Sequence, residues 1–123
     1  KFTLPDTVAG FALHGQYKIL EEIELPKDKN SREDIATDLK NFTISLMKNG
    51  KALETGRAGN ILGEGPIKAL RAYVNFCSDN EEWLQLDSII TTGTITDAYD
   101  MKKGLSFSLN VDKFDLATHT LEL

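Results

Sequence analysis

Apolar and polar positions alternate most cleanly around Phe42, Ile44 and Leu46, with Thr43, Ser45 and Met47 on the opposite parity. A period of two sends one set of side chains to a core and the other to solvent, so this run predicts a half-buried strand. Asn49-Gly50 follows it. That pair is favoured in type I′ turns, where both central residues take positive φ. Lys51 to Thr55 then reads as the returning strand of a hairpin. A second alternation, Leu105, Phe107, Leu109 and Val111, predicts another strand. It turns at Asp112-Lys113 and pairs back through Leu116 to Leu121.

One helix is clear. Ile67, Leu70, Val74 and Cys77 recur at spacings of three and four, with Lys68, Arg71, Asn75 and Ser78 on the other face. Pro66 suits the first turn, where its missing N–H costs nothing, and Asp79-Asn80 ends the run. Gly10 to Leu20 reads as a strand, and Pro26 to Ser31 as a turn. Ser31 is a candidate cap for a short helical turn over Arg32-Glu33-Asp34. Ser88 to Thr92 reads as a buried strand ending at Gly93. The sum is a single domain over residues 1–123: mainly β, of the α+β class, a curled antiparallel or mixed sheet with one long helix.

Composition narrows the partners. With 41% hydrophobic and 27% charged residues, the chain has the make-up of a folded globular domain. The charge is -5, from 14 basic and 19 acidic residues, and the basic ones are scattered. No basic stripe is present to neutralise phosphates, so nucleic acid is not an expected partner. No apolar run reaches the roughly 20 residues of a membrane span, so no membrane is expected either. Cys77 is the single cysteine, which rules out an intrachain disulfide and fits a reducing, cytoplasmic compartment. The chain starts at Lys1 rather than Met, and targeting is not judged from it.

Several short motifs occur in a telling order. Asp6-Thr7-Val8-Ala9 comes first, then Asp38-Leu39-Lys40-Asn41 leading into the hairpin and Glu54-Thr55-Gly56-Arg57 at its end. Leu62-Gly63 and Pro66 to Leu70 follow, then Leu86-Asp87-Ser88-Ile89-Ile90-Thr91-Thr92-Gly93-Thr94 and Lys103-Gly104. This series resembles the C-terminal half of the 2-keto-4-pentenoate hydratases, in the fumarylacetoacetate hydrolase superfamily. Their corresponding patterns are D-T-V-A-D-N, L-G-(H/N)-P-x-x-(A/S)-(L/V), G-D-x-(I/V)-x-T-G-(T/A) and P-V-x-x-G-D. The likeness runs over nearly the whole chain from Asp6 onward.

The resemblance implies a sheet of that superfamily's C-terminal type and a lyase. The reaction is addition of water to 2-hydroxypenta-2,4-dienoate or a similar dienoate, giving a 4-hydroxy-2-oxo acid. The partner it implies is a small 2-oxo acid or dienoate. The rival within the same group is a 2-oxo acid decarboxylase. The cofactor it implies is Mg²⁺ or Mn²⁺, a Lewis acid for the enolate, held by three carboxylates. Those carboxylates precede the D-T-V-A-D segment, so no metal ligand is expected in this chain. Oligomerisation, or a complex with the missing segment, is expected with it.

Departures from the pattern support a different class of reading, a non-catalytic subunit. Gly10, Phe11 and Leu13 stand where the pattern is polar. Glu64-Gly65 replaces the residue before the helix proline with one residue inserted, Tyr73 replaces a Trp, and Leu86 replaces a Gly.

The resemblance places Thr92 and Thr94 as catalytic candidates and Gly93, Arg57 and Asp6 as substrate-binding ones. The T-G-T end of a strand offers amides and hydroxyls to a substrate carboxylate. Without the resemblance, Thr92-Gly93-Thr94 is a strand end with a glycine bend, and Arg57 is a solvated side chain. Glu22-Ile23-Glu24 has the spacing of two ligands on one strand face, but it follows Asp6-Thr7-Val8-Ala9 and runs into Pro26, as a solvated strand end does. His14 and His119 have no Asp or Glu at a telling spacing, so structural or exposed roles are expected. Cys77, on the helix's apolar stripe, is expected to be buried and inert.

Overall fold

The computed structural model describes residues 17–123. Asp6, His14 and most of the Gly10–Leu20 run lie outside the described residues. The elements are α1 (Lys29–Asn41), β1 (Thr43–Lys48), β2 (Lys51–Arg57), a 3₁₀ turn (Ala58–Asn60), α2 (Pro66–Asp79), β3 (Ser106–Val111) and β4 (His119–Glu122).

The four strands form one open antiparallel sheet in the order β2-β1-β3-β4. The expected hairpin is its centre. Asn49 and Gly50 take φ of 50° and 74°, the two positive values a type I′ turn requires. Asn49 also joins β1 to β3: its amide donates to the Ser106 carbonyl at 2.8 Å, and its Oδ1 accepts from the Ser106 amide at 2.9 Å. A bulge between Leu46 and Met47 shifts the register, so Leu46 faces Glu54 and Met47 faces Ala52.

The start of β1 is fastened to the far end of β3 by Asp112. Its two carboxylate oxygens accept from the Thr43 amide and hydroxyl, each at 2.8 Å. The Thr43 amide and then its hydroxyl hold the Asp112 carboxyl below the usual carboxylate range. Below this clamp the Phe42 and Phe114 rings meet edge to face, 6.0 Å between centroids. The buried apolar residues are Phe42, Ala58, Ile61, Cys77 and Phe107. Phe42 precedes β1, whereas Ile44 and Leu46 are half-buried.

Three expectations need correcting. The short helical turn at Ser31 is a 13-residue helix, so there are two α-helices among the described residues. Its cap is Asp28, whose carboxylate accepts from the Ser31 amide at 2.8 Å. That amide bond, and then the Ser31 hydroxyl, lower the Asp28 pKa. The helix is short of apolar residues, which hid it: only Ile35, Ala36 and Leu39 supply an apolar stripe. Second, Ser88 to Thr92 is not a strand. Ile89 is exposed and Ile90 half-buried, and positive φ at Asp87 (63°) and Gly93 (124°) breaks the extended path on both sides. Third, residues 17–25 carry no regular structure, so the described end of the first expected strand is not one.

The α2 helix spans its expected residues, from Pro66 at the first turn to Asp79. Of its apolar stripe, Cys77 is buried and Ile67 and Leu70 are half-buried, while Val74 is exposed. The connection after α2 exposes Trp83 and Leu86 at 93% and 95%. No described helix is long and apolar enough to cross a membrane.

Candidate functional site

The segment from 81 to 99 forms the wall of the candidate site, and side chains of β2 hold it. Glu54 Oε2 accepts from the Asp97 amide at 3.0 Å and from the Tyr99 hydroxyl at 2.7 Å. That bond to Glu54, first among the causes, pushes the Tyr99 pKa up to about 12. Asn60 Nδ2 donates to the Ile95 carbonyl at 2.7 Å. Gly56 is buried under Ile95, and a Cβ there would lie 2.6 Å from Ile95 Cγ2, closer than any side chain tolerates. The small residue of Glu54-Thr55-Gly56-Arg57 thus lets the segment lie against β2. Neither Glu54 nor Asn60 was legible as a site-forming residue. The Glu54–Tyr99 pair spans 45 positions, and no local pattern encodes it.

Upstream of this fastening, the segment and α2 enclose a cleft of about 540 Å³. Ala69 and Tyr73 line it from α2, and Trp83, Leu84, Gln85 and Ser88 to Thr92 line it from the segment. A turn shapes the wall: the Ser88 hydroxyl donates to the Gln85 carbonyl at 2.8 Å. Tyr73 stays a neutral phenol, its pKa raised first by a hydrogen bond with Cys77 one turn later. None of the residues lining the cleft carries a formal charge, so recognition of an acid there rests on hydroxyls and amides.

The expected site residues fall as follows. Thr92 lines the cleft and is half-buried. Gly93 follows the cleft's last lining residue, where a Cβ would meet Ile61 at 3.5 Å and a φ of 124° would strain any other residue. Thr94 is exposed and does not line the cleft. Arg57 is exposed at the end of β2, next to the Gly56–Ile95 contact, and makes no side-chain hydrogen bond or ion pair among the described residues. Asp6 lies outside the described residues. Glu22 and Glu24 are exposed, and among the described residues no three His, Cys, Asp or Glu side chains come together to hold a metal ion. The described residues therefore do not by themselves fit a divalent ion.

His119 finds an acidic partner that no sequence spacing indicated. Its Nε2 lies 2.5 Å from Glu21 Oε1, a partner 98 positions away in sequence. The same oxygen accepts from the Ala117 amide at 2.8 Å.

No protein-family model matches the chain. It is 29% identical over 111 residues to the 4-oxalocrotonate decarboxylase of a Pseudomonas species, a match that covers 90% of this chain and 39% of that protein. The chain is a homologue of part of that decarboxylase. The structure agrees. The 4-oxalocrotonate decarboxylase of Pseudomonas putida G7 complexed with calcium and acetate superposes with a TM-score of 0.60 at 24% identity. That match covers 69% of this chain and 32% of the other. The same enzyme complexed with magnesium and adipate gives a TM-score of 0.61 at 24% identity, over 69% of this chain and 31% of the other. The fold is accordingly of the fumarylacetoacetate hydrolase C-terminal type, with an open sheet and, among the described residues, two helices rather than one.

Proposed function

We propose that this chain contributes the substrate-holding wall of a metal-assisted enzyme of the fumarylacetoacetate hydrolase superfamily that decarboxylates an unsaturated 2-oxo acid. The supporting observation is the likeness to a 4-oxalocrotonate decarboxylase over 90% of the chain, which spans the whole cleft wall. The likeness moves the reading from hydration, the leading expectation, to decarboxylation, its rival.

The roles of this chain's residues follow from their chemistry. Thr92 and the neighbouring Thr91 and Ser88 offer hydroxyls to a carboxylate in a cleft without charged lining. Gly93 allows the backbone to approach the bound acid, and Arg57, at the end of β2, is a cation without an ion pair among the described residues. A Mg²⁺ or Mn²⁺ held by ligands outside this chain would supply Lewis acidity to the bound 2-oxo acid. The structures of the related enzyme, with calcium and acetate or magnesium and adipate, support a site for a divalent ion and a carboxylate.

Hydration keeps one observation in its favour: the hydroxyl-rich wall of Ser88, Thr91 and Thr92 suits the placing of a water as well as a carboxylate. The test is an assay of the full natural polypeptide that carries this sequence, with Mg²⁺, on 4-oxalocrotonate and on 2-hydroxypenta-2,4-dienoate. Metal-dependent CO₂ release from the first substrate is the expected result. Turnover of the second alone would return hydration to the lead. Turnover of neither would leave the non-catalytic subunit standing.

A further inference from the structure

The sheet face on which Glu54 and Gly56 meet the wall also carries, at its β3–β4 end, a polar residue beside apolar ones. Leu46 pairs with Leu109 across β1 and β3, and Leu109 pairs with His119 across β3 and β4. Lys48, Phe107 and Leu121 form the next row, with the Lys48 ammonium over the Phe107 ring. An aliphatic residue at 119 would continue the pattern without desolvating an imidazole, so the histidine runs against the packing. The irregular segment 17–25 crosses here and brings Glu21 to His119 and Lys18 and Leu20 to the rim of a cavity of about 250 Å³. Holding that segment does not require the histidine, because the Ala117 amide already donates to Glu21.

The geometry assigns this cavity as a second binding site, for a short carboxylic acid with an apolar tail. Glu21 is an acceptor, so His119 Nε2 carries the proton between them and Nδ1 is the nitrogen left for a ligand. Nδ1 has no partner among the described residues, and Lys18 makes no ion pair there. The ligand binds as the carboxylate, and one proton taken up from solvent onto Nδ1 balances it, so that the carboxylate lies between an imidazolium, itself paired with Glu21, and the Lys18 ammonium. The tail meets Leu46, Phe107, Leu109 and Leu121. Glu21 and Lys18 are the titratable groups facing His119 here, and β1 and β3 contribute apolar residues and Ser108. The volume is below the common range of roughly 300–1,000 Å³ for ligand pockets, which selects a short chain.

The probe is hexanoate, with hexylamine as the charge-reversed control. Both are titrated into the 123-residue chain while the His119 ring and the leucine methyl groups are followed by NMR. Saturable shifts at His119 and Leu121 with hexanoate, and none with hexylamine, are expected. Lys18→Met and His119→Gln should each weaken hexanoate roughly tenfold or more, the usual effect of losing a hydrogen bond to a charged group. Lys18 is exposed and outside every helix and strand, so its substitution leaves folding intact even where that at 119 does not. Equal shifts with the amine, or hexanoate affinity unchanged by Lys18→Met, would overturn the assignment.

Discussion

The sheet and the cleft wall are built by opposite means. In β1 to β4 each residue's place follows from its neighbours, through alternation and a two-residue turn, and the ladder satisfies its own backbone. The wall from 81 to 99 has no such repeat. It is fixed at a few points by side chains from β2 and the 3₁₀ turn, namely Glu54, Asn60 and the absence of one at Gly56. Phe107 in the sheet is 9% exposed, whereas Leu86 in the wall is almost fully exposed. A segment held at points can change composition without disturbing the ladder beside it. Such segments are where binding residues concentrate.

The largest effect should come from breaking the sheet side. Phe42 is buried and packs edge to face on Phe114. Phe42→Ala should cost about 3–5 kcal/mol, the range for a buried phenylalanine truncated to alanine. Chemical denaturation with a single transition at a lower midpoint is the expected measurement. A loss below about 1 kcal/mol would mean that the sheet's core lies elsewhere.

Next, the wall should detach from an intact sheet. Gly56→Ala places a Cβ against Ile95, and overpacking of this kind costs about 1–3 kcal/mol. Faster hydrogen exchange should be confined to residues 93–99, with β1 and β3 amides unchanged. Uniform loss of protection would show that wall and sheet unfold as one unit.

The same division decides how much the sequence revealed. The hairpin, α2 and β3 were legible because two or three local signals coincided, as at Asn49-Gly50 between alternating runs. The α1 helix was not, because Lys29–Asn41 is mostly polar and its cap, Asp28, lies three positions before the serine expected in that role. Ile89-Ile90 misled in the other direction: an apolar pair marks a strand only if a neighbouring strand pairs with it, and here the pair lines a cleft with Ala69 and Tyr73 of α2 instead. Of the candidate site, Thr92 and Gly93 were legible only through the order of motifs. Glu54, Asn60 and the Glu21–His119 pair were not, since each depends on a contact across 35 to 98 positions.

Two titrations separate the fastenings. The folded Asp112 pKa is depressed, so the stability it contributes is present above its ordinary value of 3.8 and is lost as pH falls below it. Asp112→Ala should therefore lower stability at neutral pH and flatten the acid limb of a stability–pH curve. An unchanged acid limb would remove the clamp on Thr43. At the alkaline end the sign reverses. The Tyr99 pKa is raised from 10.0 to about 12, so its contribution is complete below pH 10 and lost as pH rises through 12. Glu54→Gln should bring one tyrosine back toward 10 in an ultraviolet titration. No change in the tyrosine curve would mean that Glu54 does not hold the wall.

The smallest effect on stability, and the sharpest test of the wall as a functional region, comes from its two threonines. Thr92 is half-buried on the cleft, while Thr94, past the bend at Gly93, is exposed and away from it. Threonine and valine have the same shape, and Thr92→Val and Thr94→Val should each change stability by less than about 0.5 kcal/mol, as substitutions outside the core do. Their kinetic effects should differ. Loss of one hydrogen bond to a charged carboxylate costs about 1.5–3 kcal/mol, so Thr92→Val should lower kcat/KM roughly ten- to a hundredfold. Thr94→Val should leave it within about twofold, because a difference that small corresponds to under half a kcal/mol. Equal losses at both positions would extend the site beyond the cleft to the exposed side of Gly93. Unchanged kinetics in both, with full folding, would take this wall out of catalysis and leave it as a surface that the rest of the enzyme packs upon.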